Sequence, residues 1–276
     1  MKIALCNEVL GEMEFAAQCD LAAALGYDGL EVAPFTLSEN PHLLGAPDRA
    51  RIRRSVAEAG IEVMSLHWLL VTPKGLSINS NDRSIRTQTI DVLRRLIELC
   101  ADLGGKVLVH GSPAQRQVAA GEDPAEAWLR ARDTFAAIAD DALKAGMTYC
   151  IEPLARRETN FINTVAEAVK MVEAIGSPAF HTMIDTCSAG VTEAVPLDEL
   201  MDRWLPTGHI AHIQVNDTNR RGPGQGNNQF APIFAALKRN GYDGVVAVEP
   251  FDYFPDGRAT AARSIGYVRG VVEALK

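Results

Sequence analysis

Leu25-Gly26-Tyr27-Asp28-Gly29-Leu30-Glu31 returns in outline near the far end of the chain as Asn240-Gly241-Tyr242-Asp243-Gly244-Val245-Val246. In both copies a glycine stops an apolar-periodic stretch as a helix C-terminal cap, and a tight turn then feeds a β-rich run. Ala59-Gly60-Ile61 and Ala145-Gly146-Met147 use the same device. The repeat marks the helix-to-strand joint of a βα unit, and the units can be counted outward from it.

Strand-like runs fall at Ile3 to Asn7, Gly29 to Ala33, Ile61 to His67, Lys106 to His110, Thr148 to Glu152, His181 to Asp185, Ile210 to Asn216 and Val245 to Glu249. Helical patterns lie between and after them, at Glu14 to Leu25, Pro47 to Ala59, Arg83 to Leu103, Pro124 to Ala145, Val165 to Ile175, Leu197 to Trp204, Gln229 to Arg239 and Ala259 to Leu275. Alternation of this kind predicts an α/β fold around a parallel sheet. Eight units with no long linker and no break in composition predict one closed (β/α)8 TIM barrel, a single domain over residues 1–276. An open doubly wound sheet is the alternative. It lacks support, since no GxGxxG follows the first strand and no GxxxxGK[ST] occurs.

With 276 residues, 47% of them hydrophobic and 22% charged, the composition is that of a globular protein able to bury a large core. A formal net charge of -8 and the lack of a basic cluster argue against a nucleic-acid partner. No apolar run approaches the roughly 20 residues of a membrane span, and the opening MKIALCN reads as a strand rather than a signal segment. A cytoplasmic protein is expected. Cys6, Cys19, Cys100, Cys150 and Cys187 form no CxxC pair, which suits reduced thiols better than disulfides.

In a barrel of this type the chemistry sits at the C-terminal strand ends. Strand five ends in Glu152-Pro153, strand six in Asp185-Thr186, strand seven carries His212, and strand eight ends in Glu249-Pro250. Their spacings of 33, 27 and 37 residues are each about one βα unit, so the four should meet at one mouth. One acid at a strand end is commonly a cap or an ion-pair partner; four such groups in consecutive units predict a metal site. Three carboxylates and an imidazole would repel one another without a cation among them. Oxygen-rich ligation with no sulfur favours Mn²⁺, with Mg²⁺ or Co²⁺ as alternatives, over structural zinc.

Glu152 and Glu249 would approach a substrate from separate directions. With an α-hydroxy ketone chelated at the cation, one carboxylate can remove the proton of the carbon between the oxygens, leaving an enediolate. Return of a proton to the opposite face is epimerisation; return to the next carbon is aldose–ketose isomerisation.

Glu152-Pro153, Asp185-Thr186, His212 with Asn216-Asp217, the loop Asn219-Arg220-Arg221-Gly222-Pro223-Gly224-Gln225-Gly226, and Val248-Glu249-Pro250-Phe251 resemble the xylose-isomerase-like sugar isomerase/epimerase family, in particular its ketose 3-epimerases of the tagatose and psicose type. The likeness spans essentially the whole chain. It implies that Glu152, Asp185, His212 and Glu249 bind Mn²⁺ or a similar ion, with the two glutamates as the acid/base pair. It further implies that Glu158 and Arg220 contact substrate hydroxyls, that the substrate is a sugar, and that the protein forms dimers or tetramers. The epimerases carry a His three residues after the strand-six Asp, where this chain has Ser188, which can make a hydrogen bond but cannot act as an imidazole.

Lesser candidates for the substrate are His67-Trp68, whose aromatic face could stack on a sugar, and His110, which could donate to a substrate oxygen. His67-Trp68 could instead pack under a loop, and His110 could instead make a structural hydrogen bond. Glu31 ends strand two and could line the site; Arg156 and Arg157 could merely pair with Glu158 at the surface; Cys187 reads as a small buried residue. Three other functions compete with the sugar isomerase. A lyase expelling a β-leaving group from a keto-sugar, keto-glycoside or keto-inositol would use the same site. An endonuclease-type metallohydrolase would need more metals and a basic groove, and a sugar-binding scaffold would need no metal.

Overall fold

The computed structural model describes residues 1–275. Eight parallel strands, β1 (Lys2–Cys6), β2 (Gly29–Val32), β3 (Glu62–Leu66), β4 (Val107–His110), β5 (Thr148–Ile151), β6 (Phe180–Asp185), β7 (Ile210–Val215) and β8 (Val245–Val248), close in sequence order, with β8 pairing back onto β1. Among the described residues nine α-helices surround them: α1 (Phe15–Leu25), α2 (Ala46–Ala59), α3 (Arg83–Leu103), α4 (Pro124–Lys144), α5 (Val165–Ile175), α6 (Thr186–Thr192), α7 (Leu197–Trp204), α8 (Phe230–Arg239) and α9 (Gly257–Ala274). The expected (β/α)8 barrel is the fold.

The repeated glycines do two different things. Gly26 caps α1 in the left-handed region at φ 92° and donates back to the Ala22 and Ala23 carbonyls. Gly29 lets β2 lie against β3, because a Cβ there would run into the Glu62 carbonyl and the Met64 side chain. Strand alternation then sorts the side chains. Leu108, Tyr149, Ile151, Ile184 and Ile213 join the large core shared with the helices, while Val107, Val109, Cys150 and Met183 form a separate apolar plug inside the barrel.

Several expected strands end early: Asn7, His67, Glu152, Asn216 and Glu249 all lie just beyond the ladder. Helix α6 had no counterpart in the sequence reading. Its seven residues, TCSAGVT, include few strong helix formers, and it starts because the Asp185 side chain accepts from the Ser188 N–H. All five cysteines are buried and free. Among the described residues no helix is long and apolar enough to cross a membrane.

Candidate active site

Glu152, Asp185 and Glu249, arriving from β5, β6 and β8, offer oxygens that all lie within 4.8 Å of one another. Each residue is at most 3% exposed. Burial drives all three carboxyls above the usual range, and their mutual repulsion adds to it for Glu152, which is raised by Glu249 and Asp185. The pull of neighbouring donors leaves Asp185 at about 7 and Glu249 at about 8. Asp185 Oδ2 and Glu249 Oε2 are buried without a hydrogen-bond partner. Three crowded acids, two of them with an unsatisfied oxygen, are a fitting cradle for a divalent cation of the hard, oxygen-preferring kind.

Neighbouring loops hold these acids in place. The guanidinium of Arg116, fully buried, donates to the carbonyls of Glu152 at 2.6 Å and His110 at 2.8 Å, joining the ends of β4 and β5. Gly111 leaves room for the Glu152 carboxylate, which a Cβ there would overlap. Asn216, just past β7, accepts from the Cys187 N–H at the start of α6 and donates to the Glu249 carbonyl at 2.8 Å. Arg116 and Gly111 are absent from the expected site, and Asn216 enters it only as part of the strand-seven motif with no role, because loop geometry carries all three and no spacing rule reaches it.

His212 does not join the three acids. It sits inside the barrel with Nε2 at 2.8 Å from Glu31 Oε2, and both residues are fully buried. Register explains the correction: on β7 the residue beside Asp185 is Gln214, whereas His212 pairs with Met183, two residues deeper. Both point inward, so choosing the imidazole by its chemistry alone selects the lower tier. Glu31 also accepts from Cys6 Sγ at 3.3 Å, from the Ser65 hydroxyl and from Gln214 Nε2 at 2.6 Å. Burial opposes its charge, but His212, His67 and Ser65 together hold its carboxyl well below the usual range. A carboxylate can only accept, so the Gln214 amide must turn its nitrogen to Glu31 and leave Oε1 free. That oxygen is buried and has no partner.

The expected substrate residues separate into three groups. Glu158 and Ser188 meet at the rim, Ser188 Oγ donating to Glu158 Oε2 at 3.3 Å, beside Asp185. Arg220, exposed and at φ 71°, stacks its guanidinium 5.1 Å from the Phe251 ring, and its carbonyl accepts from the N–H groups of Phe251 and Asp252. His67 and Trp68 both turn to Glu249 Oε1, at 2.9 and 3.0 Å. Burial works against a charge on His67, yet Glu8 and Glu249 outweigh it and raise the imidazole well above its ordinary value. His110 faces away from the mouth: its Nδ1 pairs with the Tyr149 hydroxyl at 2.9 Å and its ring packs edge-on against Phe135 of α4. The inward residues of β4 are Val107 and Val109, so position 110 falls on the helix side. Arg157 reaches Cys187 Sγ rather than Glu158.

Comparison with known proteins agrees with this architecture. The chain is 26% identical over 270 residues to the protein named "Probable ketose 3-epimerase" of Synechocystis sp., covering 98% of this chain and 89% of that one. It is 27% identical over 237 residues to an L-ribulose 3-epimerase of Mesorhizobium japonicum, covering 86% and 77%. The crystal structure of D-psicose 3-epimerase in the presence of D-fructose superimposes with a TM-score of 0.83 at 23% identity, over 99% of both chains. The family model described as "Xylose isomerase-like TIM barrel" matches residues 19–270, and the chain belongs to that family.

Proposed function

We propose that the protein is a divalent-metal-dependent isomerase that epimerises a ketose, or a ketose derivative, at the carbon beside its carbonyl. The observation that carries this reading is the convergence of Glu152, Asp185 and Glu249, the last two each with a buried unsatisfied oxygen. Those three residues would hold the cation. The free amide oxygen of Gln214, next to Asp185 in register, replaces the imidazole of His212 as the fourth donor. Bound there, a cation such as Mn²⁺ supplies positive charge for the oxyanions that develop on the substrate. Relatives named for 3-epimerisation of ketoses support both the reaction class and the carbon.

The protein's own groups carry the protons. One of Glu152 and Glu249 removes the proton from the carbon between carbonyl and hydroxyl, and the other returns one to the opposite face of the enediolate. Burial suits both to this work, since a carboxyl raised above the usual range is a stronger base than an exposed one. Glu158 and Ser188 at one rim and Arg220 at the other are placed to meet the remaining hydroxyls.

Candidate ketoses incubated with the Mn²⁺-loaded protein in D₂O should acquire deuterium at C3 together with the C3 epimer. Glu152→Gln and Glu249→Gln should each lower turnover at least ~10²-fold with the fold intact by circular dichroism. Absence of exchange with every ketose and ketose phosphate tried, or turnover retained in both variants, would overturn the reading.

A further inference from the structure

Glu249 is held at one oxygen and free at the other. Oε1 accepts from His67 Nδ1 and from Trp68 Nε1, while Oε2 is buried without a partner. The second nitrogen of His67 is engaged as well, lying 3.0 Å from Glu8 Oε2 on the segment after β1. A ring bonded at both edges cannot turn about its χ2 axis without losing both bonds. His67 is fully buried and the Glu8 side chain is 15% exposed, so water does not readily replace either partner.

Trp68 reaches Glu249 at a conformational cost. Its φ of 51° lies in the left-handed region, which costs a bulky residue about 1–3 kcal/mol and persists only where the surroundings impose it. The surroundings here are aromatic: Phe35 and Phe251 lie on the indole with ring centroids 6.5 and 6.2 Å away. Strain, packing and both polar contacts all serve the same carboxylate oxygen.

Cys6, Glu8, His67 and Glu249 also stand close enough together to suggest a second cation site. The bonding argues against one. The two imidazole nitrogens face different carboxylates, and Cys6 Sγ points to Glu31. The group is a hydrogen-bonded chain ending on Glu249.

We infer that Glu8, His67 and Trp68 are positioning residues that lock Glu249 Oε1, so that Oε2 is the one oxygen of this carboxylate turned to the cation cradle and the reacting carbon. This rests on Glu249 being one half of the acid/base pair. Two N–H donors on Oε1 prevent the carboxylate from exchanging its oxygens by rotation. The polar atoms of His67 and Trp68 are thereby unavailable to a sugar, which moves both residues from substrate contact to support. Glu8, outermost in the chain, acts entirely through the imidazole.

Glu8→Ala, Glu8→Gln and Trp68→Phe test this, with Glu249→Gln as control. Two measurements are needed: kcat and KM on a ketose turned over by the parent protein, and the indole region of the ¹⁵N–¹H spectrum, where the three tryptophans give separate signals. Glu8→Ala should lower kcat ~10–100-fold, leave KM within about twofold and shift the Trp68 indole signal. Glu8→Gln, whose amide can meet the ring nitrogen as donor or acceptor, should recover most of the loss. Trp68→Phe should lower kcat comparably while keeping the aromatic packing. Glu8→Ala with parental kcat and an unmoved indole signal would overturn the inference, as would a rise in KM at constant kcat, which marks substrate contact. Should Glu8→Ala fail to fold, Glu8→Gln and Trp68→Phe decide, parental kcat in both overturning the lock. Turnover retained in Glu249→Gln would instead overturn the acid/base reading, and the indole signal would still report whether the lock exists.

Discussion

Gly111 shows how little space the site leaves around its reacting groups. The backbone of the loop after β4 touches the Glu152 carboxylate, so a single methyl group there must push the acid aside. Gly111→Ala should cut kcat ~10²-fold, as expected when a reacting group moves by about 1 Å, while thermal unfolding changes little. His212 makes the opposite case. It packs against Glu31, so His212→Leu leaves that buried carboxylate without its 2.8 Å neighbour and with only the His67 imidazole, 3.8 Å away, to offset its charge. The loss should be about 3–5 kcal/mol of stability, read from denaturant midpoints. Nothing in one sequence separates His212 from Gln214, since both point inward from the same strand. What was legible was the acid at the end of each of β5, β6 and β8, because chain spacing alone brings strand ends to one mouth.

The eight strands and their partner helices were readable because β-rich runs alternate with helical patterns all along the chain, and glycine caps mark the ends of α1, α2, α3 and α5. Two features at the element scale were not. Strand ends slip by a residue or two because groups such as Glu152 leave the ladder to enter the site, which pattern does not reveal. Helix α6 depends on Asp185 as its local cap and on Asn216 accepting from Cys187, the second a contact between segments distant in sequence. Asn216 also donates to the Glu249 carbonyl, so it couples the β6 and β8 ends of the site through one amide. Asn216→Ala should therefore weaken Mn²⁺ binding ~10-fold, measured by the free-ion electron paramagnetic resonance signal. Binding unchanged in that variant would show that the acids hold their places without the tie.

For the whole molecule, the acid cluster sets the pH response of the metal-free protein. Glu152, Asp185 and Glu249 all have carboxyls raised by burial, so between the ordinary carboxylate range and about pH 8 the folded form holds more protons than the unfolded. Their stabilisation is complete below the unfolded values and is lost as pH rises through the folded ones. His67, also raised, acts in the same direction, while Glu31, held down, contributes an opposite slope only under strongly acidic conditions. The metal-free protein should therefore melt at a lower temperature at pH 8.5 than at pH 5.5, and Mn²⁺ should restore the difference most at the higher pH. Glu152→Gln should flatten the profile; an unchanged slope would show that the cluster does not govern it.

Glu31 gives the barrel a property its sheet alone would not. From β2 it is bonded to Cys6 of β1, Ser65 of β3, and His212 and Gln214 of β7. Detaching the first half-barrel from the second would strip Glu31 of its two β7 partners and leave His212 and Gln214 without the carboxylate they face. The two halves are thereby tied across the axis, and denaturation should proceed as one cooperative event, with probes placed in either half reporting the same midpoint.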